Sequence, residues 1–578
     1  MTIFQRLVQA AVREQLVPPE QVRQTEHSLK ISTGERMLDI PVARRFSFGR
    51  FDVAEHGDPV AFLQFMREKG WIADDSRYER FREELQNSVE NYIMVREEVA
   101  QRFAAMSGEA GTTMEWLRQH KDSSLIFYEQ LVVEGHPLHP GAKIKMGMKP
   151  EEVAAYSPEW GVRFSARLAA IHSSRAVLVS ADEKSITELL YEEYPFLRGS
   201  VRSELARAGL RAEEYELLPL HPWQAEHTIP ALYAEALKKR EVILLEDATL
   251  PVAPLMSFRS LAPLQREHRH FKTAVNVQMT GAVRTVSPQS VHNGPLLSRI
   301  VREVQQREHY FGGRFRILEE QAGVYFAPQE GTAEQSFILQ KNAAGLLREN
   351  PEWYLEDGEI MMPAAALLAR SPFSGKTVAV ELIEAESGHA AAEAVSAFVK
   401  HYAEVCLPPL LTCMSKYGIS MEGHLQNCIA AFRGGRATRL LVRDFGGVRM
   451  ARERMERQGV SMQVYAGSAI EADDVTDLRN KMFYPVFQNH FGELIASLVR
   501  ETDVPEHVLW REVAAVCRRV YENLKLDAHI REQAEADEAA LFAPYMDLKA
   551  MVTMRLRGDV TDYTFSKVRN PLGGAELR

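Results

Sequence analysis

An α+β fold is predicted for this chain by three observations. Apolar residues recur at helical spacing through most of the first part, to about residue 125. Strand-like runs become frequent from about 126 to 385, with short helices between them. From about 386 onward long helices return, interrupted by a single β-hairpin. The division expected is therefore 1–125, helical; 126–385, mixed α/β with candidate phosphate-binding strands; and 386–578, helices plus the hairpin. A chain of 578 residues is too long for one core, which supports a split into parts.

Each element has its own warrant. Residues 1–17 read as an amphipathic helix through Phe4, Leu7, Val8, Ala11 and Val12, ended by Pro18-Pro19. Residues 75–103 carry dense charge with an apolar stripe of Tyr78, Phe81, Leu85, Val89, Tyr92, Val95 and Val99, and predict a long helix. Residues 108–113 signal a loop. Strands are expected at 125–133, 175–180, 242–245, 253–259 and 273–280. A helix over 389–407 is expected to break at Pro408-Pro409. Further helices are expected at 476–501, 508–524 and 531–542, and a loose tail at 570–578. Disorder is expected at the ends and at 327–335.

Composition narrows the function. The net charge of −10 argues against a general nucleic-acid or membrane-surface binder, so an anionic ligand would need a local cluster of cations. The four cysteines, Cys406, Cys413, Cys428 and Cys517, form no C-x-x-C and no disulfide framework, which fits a cytoplasmic location. The N-terminal segment lacks the apolar run of a signal peptide, and no run is long enough to span a membrane.

The most informative stretch is Glu422-Gly-His424-Leu-Gln426-Asn427, followed by Leu441-Val-Arg443-Asp444-Phe-Gly446-Gly447. Strand-like flanks at 428–432 and 438–445 surround Gly434-Gly435, a hairpin signal. If residues 422–426 are extended, Glu422, His424 and Gln426 share one face, and folding back sets Asp444 opposite Gln426. Carboxylates with amide oxygens suit Mg²⁺, which often arrives with a phosphate. A polar hairpin edge facing water is the competing reading.

A second constellation is Ser257-Phe-Arg259-Ser260 with the run from Lys272 to Arg284. Alternation places Lys272, Ala274, Asn276, Gln278 and Thr280 on one face, expected to be a solvent-facing polar face. Ser257 and Arg259 are expected to alternate the same way on the preceding strand. Arg259, Lys272 and Arg284 around one surface suit a polyphosphate or polycarboxylate, while a solvated sheet face is the bland alternative.

His136-Pro137-Leu138-His139-Pro140 has a metal-like spacing, but its two His-Pro steps defeat helical chelation. A rigid loop offering imidazole and Lys143 to a phosphate fits better. His221-Pro222-Trp223-Gln224 reads as a buried structural corner, and His268 with His270 as a mobile solvated loop. Lys549 could reach a cleft, although most such lysines snorkel to solvent. No Walker loop, dinucleotide fingerprint or nucleophile elbow is present, and Asp444-Phe-Gly lacks the other kinase segments.

Taken together and in order, these motifs resemble the IucA/IucC family of siderophore synthetases, which act independently of non-ribosomal peptide assembly lines. The matching residues are Gly135-His136-Pro137-x-His139-Pro140-x-x-Lys143, His221-Pro222-Trp223-Gln224, Ser257-x-Arg259, Lys272 through Thr280 to Arg284, Glu422-x-His424-x-Gln426-Asn427, Arg443-Asp444 and Lys549. Ser260 and Lys145 stand where the family often has Thr and Arg.

The resemblance implies a three-part cupped hand of thumb, fingers and palm, with mixed and antiparallel sheets and long helices. It implies use of ATP and Mg²⁺ to adenylate a carboxylate of citrate or a citrate derivative. Attack by an amine or hydroxyl would give an amide or ester and release AMP and pyrophosphate. His136, Lys143, Ser257, Arg259, Lys272, Gln426 and Asp444 would bind ATP. Thr280, Arg284, His424 and Lys549 would grip the acid, and Glu422, Asn427 and Asp444 would hold the metal. His424, Arg284 and Lys272 would carry catalysis, with His424 a candidate base toward the amine. Small-molecule acid and amine or hydroxyl substrates are the partners implied, with neither nucleic acid nor membrane, and homodimerisation is common in the family. A small-molecule phosphotransferase, the same ligase chemistry on α-ketoglutarate, and a non-enzymatic anion carrier are the alternatives.

Overall fold

The computed structural model describes residues 1–32, 37–54, 56–73, 75–558 and 563–574. The fold is α+β, as expected, with helices and several antiparallel or mixed sheets. Helix Ile3–Arg13 opens the chain behind a Thr2–Gln5 capping box. The strands Val22–Gln24, Ser28–Ser32, Met37–Phe46 and Arg50–Val53 then form a four-stranded antiparallel meander, which the expectation of a mainly helical first part did not include. Short strands offer few alternations, and Met37–Phe46 includes Pro41 and two arginines, so its pattern is weak. Helix Ser76–Met106 starts at Asp75, whose side chain accepts from the amides of Arg77 and Tyr78. Its buried Tyr78, Phe81 and Leu85 join Leu7, Val8 and Phe51 in a core completed by Val552 from the far end of the chain.

The middle of the chain builds an eight-stranded antiparallel sheet. Its spatial order is Ala176–Ser180, Glu320–Phe326, Ala344–Arg348, His270–Thr273, Ser260–Pro263, Val242–Pro254, Phe164–His172 and Tyr215–Leu220. Helices Ile186–Glu193 and Pro195–Arg207 bury Ile186, Leu190, Leu197 and Val201 against it.

Several expectations are corrected here. Residues 125–133 form helix Ser124–Leu131, not a strand. All eight of its residues are buried, so it carries no one-sided stripe to reveal its period. The run from Lys272 to Thr280 is not one strand. Pairing stops after Thr273, where the Gln224 side chain accepts the Asn276 amide. The chain then enters a hairpin in which Val275 N donates to Arg284 O and Gln278–Met279 pairs with Ala282–Val283. Lys272 is buried instead of solvent-facing. Ser257 and Arg259 lie in the turn between two strands, where Phe258 adopts φ +64°, not on a strand. His270 starts a strand and is buried, and His268 packs on Tyr194, so this is no solvated loop. Residues 327–332 lead into the Thr332-capped helix Ala333–Asn342, whose first turn takes up 333–335.

Helix Ala392–Tyr417 runs through Pro408 and Pro409 without the expected break. Each proline costs about 3 kcal/mol in a helix interior, but Cys406, Leu407, Leu410, Leu411 and Cys413 are all buried in the largest core. The hairpin Cys428–Arg433 and Arg436–Val442 forms as expected. It shares a sheet with Glu359–Pro363 and, in parallel, with Phe315–Ile317, so that sheet crosses the boundary expected near 385. The start of the C-terminal tail is pinned by Asn570, which donates to Leu541 O and Ala543 O; residues 575–578 lie outside the described residues. Among the described residues no helix is long and apolar enough to cross a membrane.

Candidate active site

The hairpin turn is made by Gly434 and Gly435 at φ +57° and +92°, a pair of left-handed residues that joins two strands tightly. Pairing of Cys428 with Val442 sets the register, and Arg443 N donating to Asn427 O extends it. Gln426 and Asp444 lie just beyond the last paired residues. Residues 422–427 are turns and not an extended strand, with His424 N bonded to Glu422 O and Asn427 N to His424 O. Arg443 steadies this loop by donating to Gln426 O while pairing with Glu129 Oε1 at 2.6 Å. Glu129 Oε2 accepts Met256 N at 2.9 Å. One buried carboxylate thus ties the hairpin to the turn that bears Ser257 and Arg259.

These walls enclose a cleft of about 1120 Å³. His136, Lys143, Ser257, Arg259, Thr280 and Arg284 line it together with Glu422, His424, Gln426, Asn427, Asp444 and Lys549. Lys272 does not line it. Its ammonium sits behind the wall, 3.0 Å from Glu320 and 3.2 Å from Asp444. Arg348 completes a four-charge cluster, 2.6 Å from Glu320 and 3.2 Å from Asp444. Burial opposes ionisation of Asp444, but Lys272, Arg348 and Arg259 outweigh it and hold the carboxyl well below its ordinary range. Asp444 sits at φ +78°, and its Oδ1 accepts Gly446 N at 2.9 Å.

Glu422 is the second acid. Burial again opposes its charge, yet Lys481, His424 and Lys549 bring it down to about 2. Its carboxylate lies against Gly447, where an added Cβ would come within 1.9 Å of Oε2. Lys481 lies 3.5 Å from Glu422 and donates to Tyr563 at 2.6 Å, and Lys549 stacks on the Tyr563 ring at 3.9 Å. Lys549 therefore turns into the site and does not snorkel outward.

The histidines are neutral donors here. His424 Nδ1 accepts Gln426 N, which leaves the proton on Nε2, and burial lowers its pKa. That tautomer offers a hydrogen bond and opposes the expected base role. His136 Nδ1 likewise accepts the amides of Leu138 and His139, and His139 Nδ1 accepts Gly141 N. Among the cations, Lys143 is paired with Glu159 at 2.6 Å and Arg259 donates to Thr285 O. Arg284 and Lys145 have no ion-pair partner among the described residues. Burial, then repulsion from Arg259, lowers Arg284 to about 10, so it stays charged at neutral pH.

Comparison with known proteins bears on this geometry. The sequence profile of the IucA / IucC family matches residues 124–369, and that of the "Ferric iron reductase FhuF-like transporter" matches residues 396–564. D-ornithine–citrate ligase of Staphylococcus aureus is 29% identical over 512 residues, covering 86% of this chain and 76% of the relative. The uncharacterized protein y4xN of Sinorhizobium fredii is 30% identical over 456 residues, covering 77% and 71%. The chain belongs to the IucA/IucC family. The ATP-bound aerobactin synthetase IucA from a hypervirulent pathotype of Klebsiella pneumoniae has the same fold, with a TM-score of 0.78 at 20% identity over 99% of each chain.

For this member of the IucA/IucC family, the motifs found most of the cleft wall but not what holds it. Glu320, Arg348 and Glu129 escaped because each lies far in sequence from the group that it fixes. Their one available signal was charge within an otherwise apolar run: Glu129 in Ser124–Leu131, Arg348 closing Ala344–Arg348, and Glu320 opening Glu320–Phe326. His221-Pro222-Trp223-Gln224 is a buried corner, with His221 stacked on Phe258 and Gln224 bonded to Asn342 O.

Proposed function

We propose that this chain is an ATP- and Mg²⁺-dependent siderophore synthetase that joins a carboxylic acid, citrate or a citrate derivative, to an amine or hydroxyl. The supporting observation is the charge layout of one cleft. Arg259, Arg284, Lys145 and Arg348 converge on the same space as the ionised pair Glu422 and Asp444. The named relative supports the substrate class by its own acid and amine.

The residues fit a phosphate-borne Mg²⁺. Among the described residues no group of three or more His, Cys, Asp or Glu could hold a metal alone. Mg²⁺ needs only one or two carboxylates when phosphates and waters complete its shell. Glu422 and Asp444 would supply these, with Asn427, whose amide nitrogen donates to Glu422 O and leaves its oxygen available. When bound, the metal would neutralise developing charge on the phosphates.

The acid carboxylate attacks the α-phosphorus and pyrophosphate leaves; the amine then attacks the acyl carbon and AMP leaves. Arg259 and Lys143 offset triphosphate charge, neutral His136 offers it a hydrogen bond, and Ser257 and Gln426 donate to the nucleotide. Thr280, Arg284, His424 Nε2–H and Lys549 orient the acid. Lys272 acts by holding Asp444 and not by touching phosphate. The four free, buried cysteines support a cytoplasmic setting.

The test offers purified protein Mg·ATP, hydroxylamine and, in turn, citrate, a citryl monoamide and α-ketoglutarate. Acyl-hydroxamate with stoichiometric AMP from one acid is expected. ADP without AMP would make the protein a phosphotransferase, and no nucleotide turnover would make it a carrier.

A further inference from the structure

Glu84 lies on the long N-terminal helix Ser76–Met106, in none of the motifs, and is 1% exposed. Its Oε1 accepts Gln278 Nε2 at 2.7 Å, and its Oε2 accepts Arg555 Nε at 2.7 Å. Arg555 Nη2 also reaches Oε1. Arg80, one turn away on the same helix, donates to Gln278 Oε1 at 3.0 Å. Gln278 O accepts Met146 N, so both ends of the Gln278 amide and its carbonyl are fixed. Gln278 opens the hairpin that delivers Thr280 and Arg284 to the cleft. Arg555 lies on helix Met551–Arg557, directly after the strand that ends in Lys549. A single buried carboxylate therefore touches both elements that grip the acid in the reading above. Buried ionic networks stabilise little relative to apolar packing, and their best-attested use is to fix registry.

We propose that Glu84 is a positioning residue that sets the gap between Thr280–Arg284 and Lys549, and so selects the size of polycarboxylate accepted. This rests on the ligase reading of the cleft. Glu84→Gln presents an amide donor to the three side chains, Gln278, Arg555 and Arg80, that donate to the carboxylate, and should loosen both elements.

Losing a hydrogen bond to a charged group predicts a rise of about tenfold in KM for the preferred acid, with KM for ATP unchanged. Discrimination between that acid and shorter dicarboxylates should fall by a similar factor. Amides of residues 278–285 should exchange hydrogen faster. Arg80→Met, at a side chain 62% exposed, spares the fold and should shift the same quantities about threefold. Unchanged acid KM in a folded variant, or equal rises for acid and ATP, would overturn the proposal. If the wild type forms no acyl product, the ligase reading fails instead. Hydrogen exchange still decides the clamp in that case, and unchanged exchange at 278–285 in both variants would sink it.

Discussion

Gly447 shows how a single atom controls the site. A Cβ there would sit 1.9 Å from Glu422 Oε2 and 2.4 Å from its Cδ, so the carboxylate must move. Displacing a positioned group by about 1 Å can cost about 100-fold in rate. Gly447→Ala should therefore lower kcat/KM by about 100-fold and raise the Mg²⁺ concentration needed for half-maximal activity, with little change in the melting temperature. A Mg²⁺ titration of AMP release checks this; a variant with wild-type Mg²⁺ dependence would separate Glu422 from the metal. The side chains that line the cleft were legible because they cluster in short sequence motifs. Their supports were not. Lys272 was read as a phosphate contact because its sequence neighbours alternate, whereas its partners Glu320 and Asp444 lie 48 and 172 residues away.

At the scale of elements, the two glycines of the central hairpin separate cleanly. Gly435 has φ +92° and a Cβ there would meet Leu382 O at 2.1 Å, whereas Gly434, at φ +57°, has nothing within 4 Å. Gly435→Ala should destabilise by about 2–4 kcal/mol and Gly434→Ala by about 1–2 kcal/mol, read by urea unfolding. Equal costs would mean that turn strain alone, and not docking on helix Val378–Ser387, fixes this element. The hairpin and helix Ser76–Met106 could be read from the sequence because a turn signal and a long stripe are local properties. Helix Ser124–Leu131 could not, because burial on every side erases the stripe. Nor could the passage of Ala392–Tyr417 through two prolines, where packing decided against local preference.

Across the whole molecule the chain closes on itself. Glu14, just after the first helix, accepts from the amide and hydroxyl of Thr553 near the other end. Burial pushes its carboxyl up to about 7, against the opposing pull of the Thr553 and Val552 bonds. A folded value above the unfolded one means that its stabilising contribution is complete below about pH 4.5 and is lost as pH rises through about 7. Glu14→Gln keeps an acceptor without the charge. It should raise stability by about 1–3 kcal/mol at pH 8 and leave it unchanged near pH 4. Thermal melts of both proteins at the two pH values test this, and a parallel pH dependence would exonerate Glu14. Charge is also managed collectively around Asp444. Lys272 and Arg348 hold resident counter-ions, Glu320 and Asp444, inside a protein whose net charge is −10. An anion arriving at Arg348, which lines the cleft where Lys272 does not, trades places with a carboxylate already there, as on an ion-exchange resin. Its affinity then reports a difference between two anions, and selectivity follows from shape and spacing more than from the number of positive charges.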